Sequence, residues 1–337
     1  MENNNCSAAT ALTKTSKVYI AGHRGLVGSA IWNNLLQRGY TNLLGRTHKE
    51  LDLMDGVAVR QFFDEERPEA VVLAAAHVGG IMANLHDRAD FIFQNLQIQQ
   101  NVIGEAWRHG VQRLLFLGST CIYPREAPQP MREDCLLTSP LEYTNEPYAI
   151  AKIAGLKLCE SLNLQYGTNY IAVMPTNLYG PNDNFDLVSS HVLPAMIRKF
   201  HDAKVSGADH VTLWGTGRPM REFLWSEDMA DASVHVLLNV DFKDTYRDAI
   251  VNGDGIREVR NCHINVGTGI EHSISQVAEM VKKAVGFEGS IVWDTTKPDG
   301  TPRKLTDVSK LHSLGWHHTV ELEEGIRRLY DWYLKNS

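Results

Sequence analysis

Tyr148-Ala-Ile-Ala-Lys152 sets a phenol and an ammonium four residues apart. On a helix, positions i and i+4 share one face, so the two groups enter the same space. A nearby ammonium, like the positive ring of a nicotinamide, favours phenolate and lowers a pKa that is ordinarily about 10. Such a phenol exchanges a proton with a carbonyl or hydroxyl while a hydride moves. Tyr-x-x-x-Lys alone recurs by chance. Ser119, twenty-nine residues before Tyr148 and just past the apolar run Arg113–Leu117, makes the combination specific. Cys121 follows two residues later, in Gly118-Ser-Thr-Cys-Ile-Tyr-Pro124. A thiol at the mouth of such a site is either a second proton carrier or a small packing residue, and the residues alone leave both open.

A second cluster lies near the N-terminus. Gly22-His23-Arg24-Gly25-Leu26-Val27-Gly28 joins the strand-like Lys17–Ala21 to a helical pattern with Val27, Ala30, Ile31 and Leu35 on one face. Glycines at this spacing permit a tight turn, backbone contact with a pyrophosphate and close helix–sheet packing, while the helix N-terminus offers free N–H groups. Sites for NAD usually carry an acid about 20 residues on, for the ribose 2′-hydroxyl. Here Arg46 stands eighteen residues past Gly28, and Arg24 lies in the turn itself. Two guanidinium forks suit a 2′-phosphate, hence NADP(H); the plain alternative for Arg46 is a solvated surface residue. Asp52 and Leu53 then fall on the adenine side.

These groups need elements to position them. Ala70–Ala76 is a continuous apolar run, as in a parallel sheet covered on both faces. Helices are predicted over about Asp90–His109 and Pro147–Tyr166, with a further strand at Tyr170–Met174. The alternation predicts an α/β fold, a Rossmann-like doubly wound parallel sheet, followed by a smaller C-terminal α/β domain for substrate. In that half, His191–Lys204 reads as a helix, Val211–Trp214 as a strand, and Ser273-x-x-Gln276 as a capping box. Phe242–Asn261, with Gly253-Asp-Gly255 at its centre, reads as an exposed loop. The expected divisions are a disordered tail over 1–16, a nucleotide domain over 17–180, and a domain over 181–337 from which segments return to the first sheet.

Bulk properties exclude several classes. A formal net charge of -7 argues against a general binder of nucleic acid or anionic membrane. No apolar run approaches the roughly 18 residues of a membrane span. The first residues lack the apolar core of a signal peptide. The five cysteines are odd in number and contain no C-x-x-C pair, so neither a disulfide framework nor a structural metal site is expected, and a reducing cytoplasm fits.

With these pieces assembled, the chain resembles the extended short-chain dehydrogenase/reductase family. Its members pair a serine or threonine after the fourth strand with Tyr-x-x-x-Lys, and many act on nucleotide sugars. Further stretches, GHRGLVGSAI (22–31), AAAHVGGI (74–81), FLGSTCIYP (116–124), NEPYAIAKIAG (145–155), MPTNLYGPNDNF (174–185), SHVLPA (190–195), PMREFL (219–224) and KPDGTPRKL (297–305), are similar to its epimerase–reductase branch. That branch converts GDP-4-keto-6-deoxy-D-mannose into GDP-L-fucose with NADPH. The resemblance runs from about Lys17 to the end of the chain.

The resemblance implies an acid/base pair for epimerisation at Cys121 and His191, and a hydride-transfer group at Ser119, Tyr148 and Lys152. It implies NADP(H) contacts along Gly22–Gly28 and at Arg46, Ala74, Ala75, Leu117, Gly118, Ser119, Thr120, Pro175, Thr176, Asn177 and Leu178, with Tyr148, Lys152 and His191 closing the site. Contacts to a GDP-sugar fall on Asn177, Lys199, Trp214, Arg221, Asp299 and Lys304. It also implies a homodimer joined through the two long helices. Plainer roles stand beside these: His191 as the start of a helix, Trp214 as core, Arg221 as a surface ion-pair partner. Some positions depart from the branch's pattern: His77 stands for a lysine, Thr120 for a serine, Asp186 for a histidine, and Leu224–Asp228 for FLHVDD. Two competing readings remain. Another nucleotide-sugar epimerase or dehydratase would leave Cys121 and His191 without a task. A non-catalytic NADP-binding protein would show a broken Ser–Tyr–Lys set, and here the set is intact.

Overall fold

The computed structural model describes residues 11–187, 190–246, 250–251, 257–297 and 299–336. Cys6 and the expected loop centre Gly253-Asp-Gly255 lie outside them. The first half alternates as its apolar pattern demands: β1 (Val18–Ala21), α1 (Leu26–Gln37), β2 (Leu43–Leu44), α2 (Gly56–Glu66), β3 (Ala70–Leu73), α3 (Ile81–His86), α4 (Arg88–Arg108), β4 (Arg113–Leu117), α5 (Glu146–Tyr166) and β5 (Asn169–Pro175). The second half continues with β6 (Asn177–Tyr179), α6 (Val192–Ser206), β7 (His210–Trp214), β8 (Met220–Trp225), α7 (Ser226–Asn239), β9 (Ile250–Val251), β10 (Arg257–Glu258), β11 (Ile264–Val266), β12 (Glu271–Ser273), α8 (Ile274–Val285), β13 (Ser290–Asp294), β14 (Arg303–Lys304), α9 (Ser309–Ser313) and α10 (Leu322–Asn336).

The main sheet runs β2-β1-β3-β4-β5-β11, with every pair parallel. The pairing of Leu73 with Phe116 and of Leu117 with Val173 brings the carboxyl ends of the strands to one edge. The strand order reverses between β1 and β3, which opens a crevice outside those ends. β1, β3, β4 and β5 are buried along their whole length. One face carries α2, α4 and α5 over a core that includes Phe63, Ile103, Phe116 and Leu156. The other carries α1 and α7 over Ile31, Leu35, Leu115 and Val234. The sixth strand and α7 both come from the second half of the chain, so segments after residue 180 complete the first layer.

A smaller layer sits beside the crevice. In it β8 pairs with β12 antiparallel and with β6 and β14 parallel, while β7 and β13 form a parallel pair. Helices α6, α8 and α10 pack on a core of Phe200, Leu213, Val281 and Ile326. Ser273 caps α8 as the sequence predicts: its Oγ accepts from the N–H of Gln276 at 3.1 Å, and Gln276 Oε1 accepts from its N–H at 2.8 Å. Of the stretch read as a tail, residues 13–16 instead form a turn closed by the Ser16 N–H on the Thr13 carbonyl. Ser16 is buried and donates its hydroxyl to Glu69 at 2.9 Å. Among the described residues no helix is long and apolar enough to cross a membrane.

Candidate active site

The turn after β1 is shaped by what its glycines avoid. Gly22 has φ +85, and a Cβ there would lie 2.8 Å from the Ala75 nitrogen. A Cβ on Gly28 would lie 2.0 Å from the Gly22 carbonyl oxygen. These contacts let α1 start close behind the strand. Gly25 caps the helix with no side-chain bond, and the first turn holds no acid. Free N–H groups and the dipole end therefore face the crevice, which fits a pyrophosphate. Ala74 and Ala75 form the facing rim. Leu26 and Val27 open α1, and Val27 packs on the sheet core. His23 lies beside Trp32, its imidazole held below the usual range first by burial and then by the Arg24 charge.

The two arginines differ. Arg24 is exposed and makes no hydrogen bond or ion pair among the described residues. Arg46 is engaged: its Nη2 donates to Glu66 at 2.6 Å, its Nη1 donates to the Gly45 carbonyl at 3.0 Å, and its guanidinium lies over Phe62. Glu66 also holds Lys17 at 3.2 Å. Asp52 accepts from the N–H of Met54, and Leu53 packs against the core while its carbonyl accepts from Asn101. Pro175 ends β5, the N–H of Thr176 donates to Val266, Asn177 Nδ2 donates to the Glu222 carbonyl at 2.8 Å, and Leu178 packs on the sheet core.

β4 delivers the chemistry. Past Leu117 and Gly118, Ser119 caps a single 3-10 turn, Thr120–Ile122, and its Oγ accepts from the Cys121 N–H at 3.2 Å. The same hydroxyl faces the phenol of Tyr148 and acts to lower its pKa. Lys152, one helical turn further on, is buried, and its Nζ donates to the Leu117 carbonyl at 2.8 Å. Burial brings its pKa down to about 8. Tyr148 departs from the expected lowering. Burial raises its phenol above the usual range, Cys121 adds to that, and the Ser119 hydroxyl opposes it. The ammonium lies 5.7 Å from the Tyr148 ring centroid and is turned to the carbonyl, so it does not offset desolvation. The phenol is a proton donor in this structure.

Cys121 lies beside these groups. Its Sγ accepts from Asn145 Nδ2 at 3.3 Å and from Lys304 Nζ at 3.8 Å. Two residues on, buried Tyr123 anchors the turn to β11 by donating to Asn265 at 2.5 Å and meeting His263 Nε2 at 3.0 Å. Burial keeps His263 neutral; with the Tyr123 proton given to Asn265, the bond to Tyr123 needs the His263 tautomer protonated at Nε2. His191 stands at the N-terminal cap of α6 with its surface exposed, and desolvation by the surrounding protein still lowers its imidazole pKa. Its side chain makes no hydrogen bond with a described residue.

The residues expected at a GDP-sugar form a rim on the smaller layer. Trp214 is 65 % exposed at the end of β7, between Lys199 and Lys297, whose ammoniums lie 5.7 and 5.5 Å from its ring centroid. Its exposure removes the core reading. Arg221 on β8 is partly buried, and its Nη1 donates to the Met220 carbonyl. Asp299 accepts from Thr216 N–H at 2.8 Å and from Thr216 Oγ1 at 2.6 Å, which pins the turn after Trp214. Lys304 is brought to Cys121. Of the departures, the His77 ring packs 4.5 Å from Phe91, and Trp225 is core. Asn145, Lys297 and Glu222 escaped the sequence reading. Glu222 is fully buried and accepts from Thr268, Gly269 and Thr306 N–H groups at 2.6, 2.7 and 2.9 Å. An acid inside the strand Met-Arg-Glu-Phe-Leu-Trp was the available signal.

Comparison with known proteins agrees with this geometry. The sequence pattern of the NAD dependent epimerase/dehydratase family matches residues 18–252. GDP-L-fucose synthase 1 of Arabidopsis thaliana is 56% identical over 323 residues, covering 96% of this chain and 94% of that one. GDP-L-fucose synthase of Escherichia coli is 53% identical over 321 residues, covering 95% and 97%. Among solved structures, a GDP-mannoheptose C4 reductase from Campylobacter jejuni with NADP bound superposes with a TM-score of 0.86 at 44% identity, covering 96% and 99%. A GDP-L-fucose synthetase from Naegleria fowleri bound to NADP gives 0.83 at 27% identity, covering 97% and 96%.

Proposed function

We infer the reaction from one premise: the chain belongs to the NAD dependent epimerase/dehydratase family, among the GDP-L-fucose synthases. Its activity is epimerisation of GDP-4-keto-6-deoxy-D-mannose at C3 and C5 and NADPH-dependent reduction at C4, giving GDP-L-fucose. The observation that carries this reading is a cysteine sulfur placed beside the Ser119–Tyr148 pair, where a reductase alone has no use for a thiol.

The 4-keto group acidifies the hydrogens on C3 and C5. Taking either proton leaves an enolate, and returning a proton to the opposite face inverts the carbon. Cys121 and His191 are the two proton carriers; a thiol and an imidazole both titrate near neutral pH. Ser119 and Tyr148 donate to the C4 oxygen and stabilise its developing charge. NADPH, when bound, supplies hydride for C4. Tyr148, kept protonated by burial, gives the C4 oxygen its proton, and Lys152 holds the floor of the site through Leu117. The Gly22–Gly28 turn would take the pyrophosphate, with Arg24 free for the 2′-phosphate. Trp214 offers a face to the base, Lys199 and Arg221 meet the diphosphate, and Asp299 keeps the Trp214 turn in place.

A homodimer through α4 and α5 accompanies this reading; Phe93, Ile150 and Leu164 leave apolar side chains exposed on those helices. The working thiol calls for a reducing compartment, hence the cytoplasm. The direct test is incubation with GDP-4-keto-6-deoxy-D-mannose and NADPH. Consumption of NADPH with GDP-L-fucose as product supports the reading, and folded protein that consumes none contradicts it. Cys121→Ser distinguishes roles: loss of C3/C5 exchange in deuterated water with NADPH binding retained marks a proton carrier, whereas equal loss of both marks packing.

A further inference from the structure

Arg303 and Lys304 are adjacent on β14, and strand geometry sends them to opposite faces. Arg303 turns outward and forks onto Glu271, its Nε 2.9 and 2.8 Å from the two carboxylate oxygens. Lys304 turns inward, its Nζ 3.8 Å from Cys121 Sγ. Asn145 Nδ2 donates to the same sulfur at 3.3 Å, while its Oδ1 is buried without a partner. An ammonium has donors only, so both groups present hydrogens to the sulfur. That arrangement suits an acceptor carrying negative charge.

The lysine is held there by its neighbours. Leu305 N–H donates to Gln129 at 2.8 Å. Thr306 donates its N–H and Oγ1–H to the buried Glu222 carboxylate at 2.9 and 2.6 Å. Arg221 is the register partner of Lys304 on β8 and remains to meet the diphosphate. Tyr148 also faces Cys121 and is uncharged while its proton is retained.

We propose that Lys304 is a positioning residue that, with Asn145, holds Cys121 as a thiolate ready to accept a proton from the sugar ring. In that step the C–H bond breaks, an S–H bond forms, and the electron pair passes into an enolate whose oxygen Ser119 and Tyr148 hold. The proposal rests on reading Cys121 as a proton carrier.

The test titrates the thiol without substrate. Full-length wild-type, Lys304→Met, Lys304→Gln and Lys304→Arg proteins are alkylated with iodoacetamide across a pH series, and the Cys121 peptide is quantified by mass spectrometry. Melting temperatures confirm folding, and Gln stands in should Met fail to fold. The expected result is a midpoint raised by about one pH unit in Met and Gln, the low end for losing an opposite charge at this range, with Arg restoring it. Solvent exchange at C3 and C5 slows about tenfold at neutral pH in the same variants and recovers as pH rises. An unmoved midpoint in folded Met or Gln protein overturns the proposal. Wild-type protein that fails to exchange C3 and C5 hydrogens would instead overturn the epimerase reading, so the two failures are distinguishable.

Discussion

Lys152 donates to the carbonyl of Leu117, not to the phenol of Tyr148. The ammonium thus braces the end of β4, one residue before Gly118-Ser119, from inside a buried pocket. A lysine at about 8 in the folded chain, against about 10.4 unfolded, carries a charging penalty on the order of 3 kcal/mol at pH 7. Between those values the unfolded chain binds the proton and the folded chain does not, so stability rises with pH through that window. Lys152→Met is therefore expected to stabilise the cofactor-free protein by about 1–3 kcal/mol at pH 7, and by less above pH 9, while lowering kcat roughly 100-fold. Urea titrations at the two pH values check this; a destabilised variant at pH 7 would contradict it.

The glycine turn predicts a contrast between neighbours. A Cβ on Gly28 meets the Gly22 carbonyl at 2.0 Å, whereas one on Gly25 lies at an ordinary 3.5 Å. Gly28→Ala should lower the melting temperature and weaken NADPH binding more than about 100-fold, because backbone must move. Gly25→Ala should keep the wild-type melting temperature within about 2 °C. Calorimetry and NADPH fluorescence measure both quantities.

Cofactor choice should follow Arg24, which has no hydrogen-bond or ion-pair partner among the described residues. Arg24→Ala is expected to weaken NADPH about tenfold and leave NADH unchanged, the loss of one charge-assisted phosphate contact. Arg46→Ala should cost less affinity, since Glu66 already holds that guanidinium. The reverse ranking in direct binding measurements would transfer 2′-phosphate recognition to Arg46.

Trp214→Ala should weaken GDP binding by about ten- to a hundredfold, the range for losing one base–aromatic stack. Because the ring is largely exposed, the melting temperature should hold. A large drop in stability with unchanged GDP affinity would return Trp214 to a packing role.

The nucleotide half was legible because local pattern and tertiary role coincide there. Continuous apolar runs became the buried strands β1, β3, β4 and β5, and the glycine spacing became the close β1–α1 turn. What escaped depends on contacts distant in sequence. Nothing local shows that Lys304 reaches Cys121, 183 positions away. Glu222 looks like a surface acid until three backbone N–H groups from two remote loops converge on it. The expected lowering of the Tyr148 pKa failed for a related reason: helical spacing places Lys152 on the same face, but the Leu117 carbonyl, at the end of strand β4, claims its hydrogen.

One measurement bears most directly on the central claim that a single site inverts two carbons and reduces a third. The protein is given GDP-4-keto-6-deoxy-D-mannose and NADPH in deuterium oxide, and the product is read by NMR and mass spectrometry. The account predicts GDP-L-fucose with carbon-bound deuterium at C3 and C5 and protium at C4. A C4-reduced product without deuterium at C3 and C5 would make the protein a reductase only and leave Cys121 without its task.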